Sequence, residues 1–306
     1  MKFANGKERR AIFWSIGIVV GLLLFLVIAK YQTPSVHLED TFRNILEKNE
    51  ILSQIRTHFL QSVEMEKNAV MAQTDEESQK FADESFASSA VVEKNLKQLQ
   101  SLIDAAPLQD EKKIVVEFAT CWTELRRLDQ TILELAVQNT NLKAASLSRG
   151  KGAEVMQRFE DALEDVMRSY LGDPNESRVT RLSYHAITAG LKIYNLHSPH
   201  IAEASDEKMD QIEAQMNTEK NEVLKSLDEL SEIVGKENMD ALPKAKAAFS
   251  EFIEVTAKVI ILSRQNSNVK SLDLSLGRKR KVSAQCDEIL ANLQEIAHNR
   301  TFKATR

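Results

Sequence analysis

Arg56 stands on an apolar seam, between Leu52 and Phe59. A guanidinium there needs an anionic partner, because an unpaired buried charge is costly. Its planar fork would suit a ligand carboxylate. The alternative is an edge arginine whose stem covers apolar surface while its head reaches water. Arg126 and Arg127 flank the Trp122–Leu125 stripe and either converge with Arg56 or pair on the surface. Asn139 and Asn266 each follow a leucine by four residues, at one position of a repeated segment. A core asparagine fixes register or oligomeric state; hydrogen bonding to a ligand is the other role open to it. These five residues are the candidate ligand-binding set.

Other polar clusters carry less. His197 and His200 bring two imidazoles near each other across Ser198-Pro199. Metal sites usually need three or four ligands, so a plain loop and no metal are expected. The run Arg278-Lys-Arg-Lys281 reads as a solvated helix face, and Asp161 and Glu164 as helix-surface acids. No GxSxG, HExxH, P-loop or dinucleotide fingerprint occurs. Neither catalysis nor a cofactor is expected. Cys121 and Cys286 each sit in an apolar helical pattern; an oxidising compartment would permit a disulfide, but two buried thiols that do not meet are the expectation.

The elements that must position these groups are helical. Residues Ala11 to Ala29 form an uncharged stretch of nineteen residues, long enough to span a bilayer. Lys2, Lys7, Arg9 and Arg10 precede it, so the positive-inside rule keeps residues 1–10 in the cytoplasm. A single-pass anchor in the inner (cytoplasmic) membrane is expected, with the bulk of the chain extracytoplasmic. That bulk has few Gly and Pro and is rich in helix formers. Net charge is −5, and its mild acidity beyond the first ten residues argues against nucleic acid as a partner.

An internal repeat organises residues 35–301. Ile132 to Gly150 matches Val259 to Gly277 at an offset of 127, with eight of nineteen positions identical. Upstream, Thr74-Asp75-Glu76 matches Ser205-Asp206-Glu207 at an offset of 131. The copies run from about 35 to 171 and 178 to 301. Apolar spacing predicts helices over Ser35–Gln73, Thr74–Asp104, Gln109–Leu171, Arg178–Leu196, Ser205–Val234 and Leu242–Ala297, with Gly150 and Gly277 as mid-helix weak points. Thr74 and Glu77 form a capping box. The expected fold is all-α: two stacked four-helix bundles built from six helices, the two long ones shared between bundles, with the glycines at the junction.

The membrane span, the Thr-Asp-Glu turn, Trp122-Thr-Glu-Leu-Arg and ILELAVQNTNLKAASLS together resemble the extracytoplasmic sensor domain of methyl-accepting chemotaxis receptors. The duplicated length is similar to its helical bimodular variant. The resemblance implies a homodimer that binds a small carboxylate between helices. It departs from the family in that no second span or signalling hairpin follows Asn299. Action with a membrane signalling partner, or a receptor remnant, is therefore expected. The rival reading is a structural helical-bundle scaffold or protein-binding subunit of a membrane complex.

Overall fold

A computed structural model describes residues 42–105, 109–234 and 240–304, with side chains as far as Asn299. The anchor expected over Ala11–Ala29 lies outside the described residues, as does the helix start at Ser35. No helix among the described residues is long and apolar enough to cross a membrane. Those residues are all-α, without strands. The elements are α1 (42–71), α2 (Asp75–Ala105), α3 (Gln109–Ala136), α4 (Thr140–Leu147), α5 (Ala153–Ser169), α6 (Glu176–Ala202), α7 (Asp206–Ile233), α8 (Ala241–Gln265), α9 (Ser267–Leu274) and α10 (Arg280–Ala304). They amount to six helices, because α3–α5 and α8–α10 are two long helices with local interruptions.

Caps at both helix starts that sequence could mark are present. Glu77 N donates to Thr74 Oγ1 at 3.1 Å, and Lys208 N to Ser205 Oγ at 3.4 Å. Each satisfies one of the four unpaired donors that open a helix. Asp173 and Pro174 stop the chain after α5, with Gly172 at φ +80°, a conformation in which glycine carries no Cβ penalty.

Both long helices break where sequence did not place a break. Asn139 has φ 50° and Asn266 φ 57°, the two non-glycine residues of positive φ among the described residues. Asparagine tolerates this left-handed region better than most side chains. Gly150 and Gly277 are interior, as expected, but inside π-helical turns, Ser148–Gly152 and Ser275–Lys279. The whole sequence of left-handed residue, eight-residue helix and π turn recurs at the 127-residue offset.

Contacts divide the chain into two units, and the division does not fall at the two glycines. The first takes residues up to Leu60, Ser88–Thr123 and Ala284 onward; the second takes Gln61–Ala87 and Glu124–Ser283. In the first unit Phe59 and Phe118 flank Trp122, with ring centroids 6.1 and 6.3 Å away. Cys121 of α3 and Cys286 of α10 form a disulfide with Cα atoms 5.7 Å apart. This corrects the expectation of separate thiols: the two apolar patterns that carry them face one another at one level of the unit. In the second unit α5, α6, α7 and α8 enclose Phe159, Leu163, Val166, Ala186, Ile193, Leu227 and Phe252, each helix contributing one apolar stripe to a shared core.

Candidate functional site

The repeated Gln-Asn-(Thr/Ser)-Asn segments build a reciprocal junction inside the second unit. The opening amides of α4, Thr140 N and Asn141 N, donate to Ser267 Oγ (3.0 Å) and Asn268 Oδ1 (3.1 Å). The opening amides of α9, Ser267 N and Asn268 N, donate to Thr140 Oγ1 (3.1 Å) and Asn141 Oδ1 (3.2 Å). Each helix start is thus capped by side chains of the other repeat. The residues that precede them, Asn139 and Asn266, make no cap of their own, because the left-handed backbone turns their side chains elsewhere. Asn139 Oδ1 accepts from Asn268 Nδ2 at 3.0 Å, and its amide donates to Asp75 Oδ1 at 3.0 Å. Asn266 Oδ1 accepts from Asn141 Nδ2 at 2.8 Å, and its amide donates to Glu203 O at 2.9 Å. The Asp75 carboxyl is held below its ordinary range by hydrogen bonds from Lys143 and then Asn139. A signal for this junction stood in the sequence: an Asn-(Thr/Ser) pair inside a helical pattern is a cap signature, and here it occurs twice in register.

About two helical turns further along, after α4 and α9, lie the two π-helical turns, each beside a buried polar cluster. In the first, Lys279 is fully buried, with Nζ bonded to Glu66 Oε2 and 3.1 Å from Asp129 Oδ1. Both acids are also fully buried. Burial pushes the Asp129 carboxyl up to about 6, the opposing pull of Lys279 notwithstanding. Lys279 corrects the reading of Arg278–Lys281 as a solvated face: the extra residue of the π turn aims this one lysine inward, while Arg278 pairs with Glu124 at the surface.

The repeat-equivalent place is occupied by His197, Thr256, Ser148 and Gly152. His197 Nδ1 is 2.9 Å from Ser148 Oγ, and Nε2 is 3.1 Å from Thr256 Oγ1. Thr256 gives its proton to Phe252 O at 2.9 Å, so it accepts from His197, which places the imidazole proton on Nε2 and leaves Nδ1 to accept from Ser148. Burial first, and then His200, lower the His197 pKa to about 4. His200 is buried too, 2.8 Å from Ser263 Oγ and 2.9 Å from Glu213 Oε1. Glu213 also accepts from Arg264 Nε at 2.6 Å, and Arg264 reaches Asp210. The plain loop expected at His197–His200 is corrected: α6 runs through Pro199 to Ala202, its last turns held by the buried hydrogen bonds of His197 and His200 despite the donor that proline removes.

A groove of about 300 Å³ opens beside these elements, lined by Ser148, Arg149, Tyr194, Asn195, Ser198 and Ile201. Arg149 is its one charged residue, and Arg149 Nε donates to Ala145 O at 3.3 Å, which anchors the guanidinium at the edge. One wall leads through Ser148 to His197. Another leads through Ile201, whose carbonyl accepts from Asn141 of the junction at 2.7 Å. A wider groove of about 450 Å³ lies between α6 and α7, but Lys192 in its lining is matched by Glu219 at 3.0 Å.

Two of the three arginines chosen from sequence, Arg56 and Arg126, have partners of their own. Arg56, in the first unit, is part exposed and bonds Asp287 (Nε–Oδ1 3.2 Å) and Gln294 (Nη1–Oε1 2.9 Å). Arg126 and Arg127 fall in the second unit. Arg126 lies over the Phe86 ring at 5.5 Å, and Arg127 is exposed. Asn139 and Asn266 are brought into one network, through Asn268 and Asn141. Arg149 was missed because nothing in its sequence surroundings distinguishes it from a surface arginine.

A family model described as a four helix bundle sensory module for signal transduction matches residues 12–172. No curated protein sequence matches the chain.

Proposed function

We propose, from the premise that this chain belongs to the family of four-helix-bundle sensory modules for signal transduction, that it binds a small organic anion and passes the event to a partner. The family is a chemoreceptor-type, non-enzymatic module found on the extracytoplasmic side of membrane receptors. In this reading Ala11–Ala29 is the anchor, residues 1–10 face the cytoplasm, and residues 35–301 form a duplicated sensor. The Cys121–Cys286 disulfide supports an oxidising location.

The observation that carries the anion reading is the groove at Arg149. Among the described residues its lining holds one guanidinium and no carboxylate, over an apolar floor that includes Ala145, Ile201 and Ala202. That combination suits a carboxylate on a short apolar body. Its walls are bonded to the buried His197 cluster and to the reciprocal junction, so occupancy would bear on both. Homodimerisation along α1 is supported by Phe42, Leu46, Leu60 and Met71, all exposed apolar residues on that helix. Light scattering on the full chain in detergent tests it, with a monomer at high concentration counting against it.

A thermal-shift panel of mono- and dicarboxylates, amino acids and purines on the full chain tests the ligand reading. Ligand at 100 times its dissociation constant adds about 2.7 kcal/mol of stability. A saturable shift that Arg149→Ala removes and Arg56→Ala leaves would support this groove. A shift removed by Arg56→Ala alone would move the site to the first unit. No shift across the panel, in folded protein, would favour the scaffold or protein-binding reading.

A further inference from the structure

The ion cluster at Lys279 has a charge that does not balance. Two carboxylates face one ammonium, all three side chains are fully buried, and the sum is −1 when both acids are ionised. Glu66 Oε1 and Asp129 Oδ2 receive no hydrogen bond among the described residues. A buried, under-donated anion is an expensive arrangement. The cheapest remedy is one more proton, which neutralises the cluster and supplies a donor. The neighbouring charges do not supply it. From α3, the charge of Arg126 pulls the Asp129 pKa down, by less than burial pushes it up. From α2, the buried polar groups of the same unit are the uncharged Ser78 and Ser85, and its acids and Lys80 stand at partly or fully exposed positions. From α1 and the π turn come Glu66 and Lys279 themselves.

We propose that Glu66, Asp129 and Lys279 form a proton-binding site that makes the packing of the Ser275–Lys279 turn depend on external pH. Lys279 is the last residue of that turn, and a π-helical turn closes i→i+5 rather than i→i+4 bonds, so a change of register there would carry Lys279 off its inward position. When both acids are ionised, the excess charge favours opening and water entry. When one proton has been taken up by the pair, a neutral Lys-carboxylate pair and a carboxylic acid remain, and the turn closes. The raised pKa of Asp129, about 6 through burial, places the transition near pH 6. The inference is independent of the anion groove: it concerns a different cluster, on the other π turn.

Two measurements on the full chain in detergent test it. The side-chain carboxyl carbon of Asp129, observed by NMR, should titrate with a midpoint near pH 6; a midpoint below pH 4.5 would overturn the proposal. Amide exchange at Ser275–Arg280, corrected for the intrinsic effect of pH, should be slower at pH 5.5 than at pH 7.5 in the native chain and equal at the two values in Asp129→Asn. An unchanged pH dependence in that variant would overturn the proposal, as would the same protection produced at pH 7.5 by sodium or magnesium ions without a proton. Should Asp129→Asn fail to fold, Glu66→Gln provides the second variant, and the carboxyl titration needs none.

Discussion

The two repeats share a backbone and differ in what they bury. At the offsets of 127 and 131 residues, Glu66, Asp129 and Lys279 of one cluster correspond to His197, Thr256 and Gly152 of the other. One is charged with two oxygens lacking donors; the other is neutral, with both ring nitrogens engaged. One level further along, the pattern inverts. Ala69, Ala82 and Val137 form part of an apolar cluster, where the second repeat has His200, Glu213 and Arg264 in an ion network. The backbone is therefore set by the capped junction and the π turns, and the chemistry to which each repeat responds is set by a handful of inward positions.

The largest contrast is at the π turns themselves. Lys279→Met leaves two buried carboxylates without a counter-ion, and should cost about 3–5 kcal/mol in urea denaturation. Gly152→Ala, at the equivalent position, should change stability by no more than about 1 kcal/mol, because an added Cβ meets nothing nearer than 3.5 Å. Equal effects would dissolve the distinction. Next comes the disulfide. Cys121 and Cys286 correspond to Ala248 and Phe159, two core residues of the second unit. Replacing both cysteines by alanine should cost about 4 kcal/mol, given the long loop they close, and should leave the α5–α8 core intact by hydrogen exchange.

The two clusters should also titrate with opposite sign. Asp129 has a folded pKa near 6, above its ordinary 3.8, so the folded state holds the proton more tightly. Its stabilising contribution is complete below about pH 4 and is lost as pH rises through 6. His197 has a folded pKa near 4, below its ordinary 6.5, so its contribution is complete above pH 6.5 and is lost as pH falls towards 4. Each amounts to about 3 kcal/mol. Between about pH 4 and 6.5 the two contributions run in opposite directions and nearly cancel in the native chain, so stability over that range should rise with pH in Asp129→Asn and fall with pH in His197→Gln.

The smallest effect is at the junction that both repeats share. Thr140→Ala and Ser267→Ala each remove a cap worth about 1 kcal/mol. Because the two hydroxyls lie 3.2 Å apart in one network, the double variant should fall short of the sum. Strict additivity would mean that the caps act separately.

Helix type, most boundaries and the repeat were legible because 3.6-residue spacing and the Thr74 and Ser205 caps are local signals. The identity of Gly150 and Gly277 as interior positions was legible for the same reason. What local spacing does not carry is the partner across the bundle. Asn139 and Asn266 were readable as special residues but not as left-handed breaks, since their stabilisation comes from Asn268 and Asn141 in the other repeat. Lys279 looked like one of four solvated cations, because a π turn rotates it inward without altering the composition around it. The disulfide and the Arg149 groove likewise depend on which helices face each other.

The difference between the repeats bears most directly on function at the groove. The positions equivalent to Arg149, Tyr194, Asn195 and Ser198 are Leu276, Val63, Glu64 and Lys67, and Leu276 is exposed, so the equivalent surface lacks the guanidinium and brings a carboxylate, Glu64, instead. Isothermal titration calorimetry of the full chain with the best anion from the carboxylate panel should give one site per chain, absent in Arg149→Ala. Two sites per chain, or one that survives Arg149→Ala, would contradict a sensor with a single anion groove built around Arg149 from both copies.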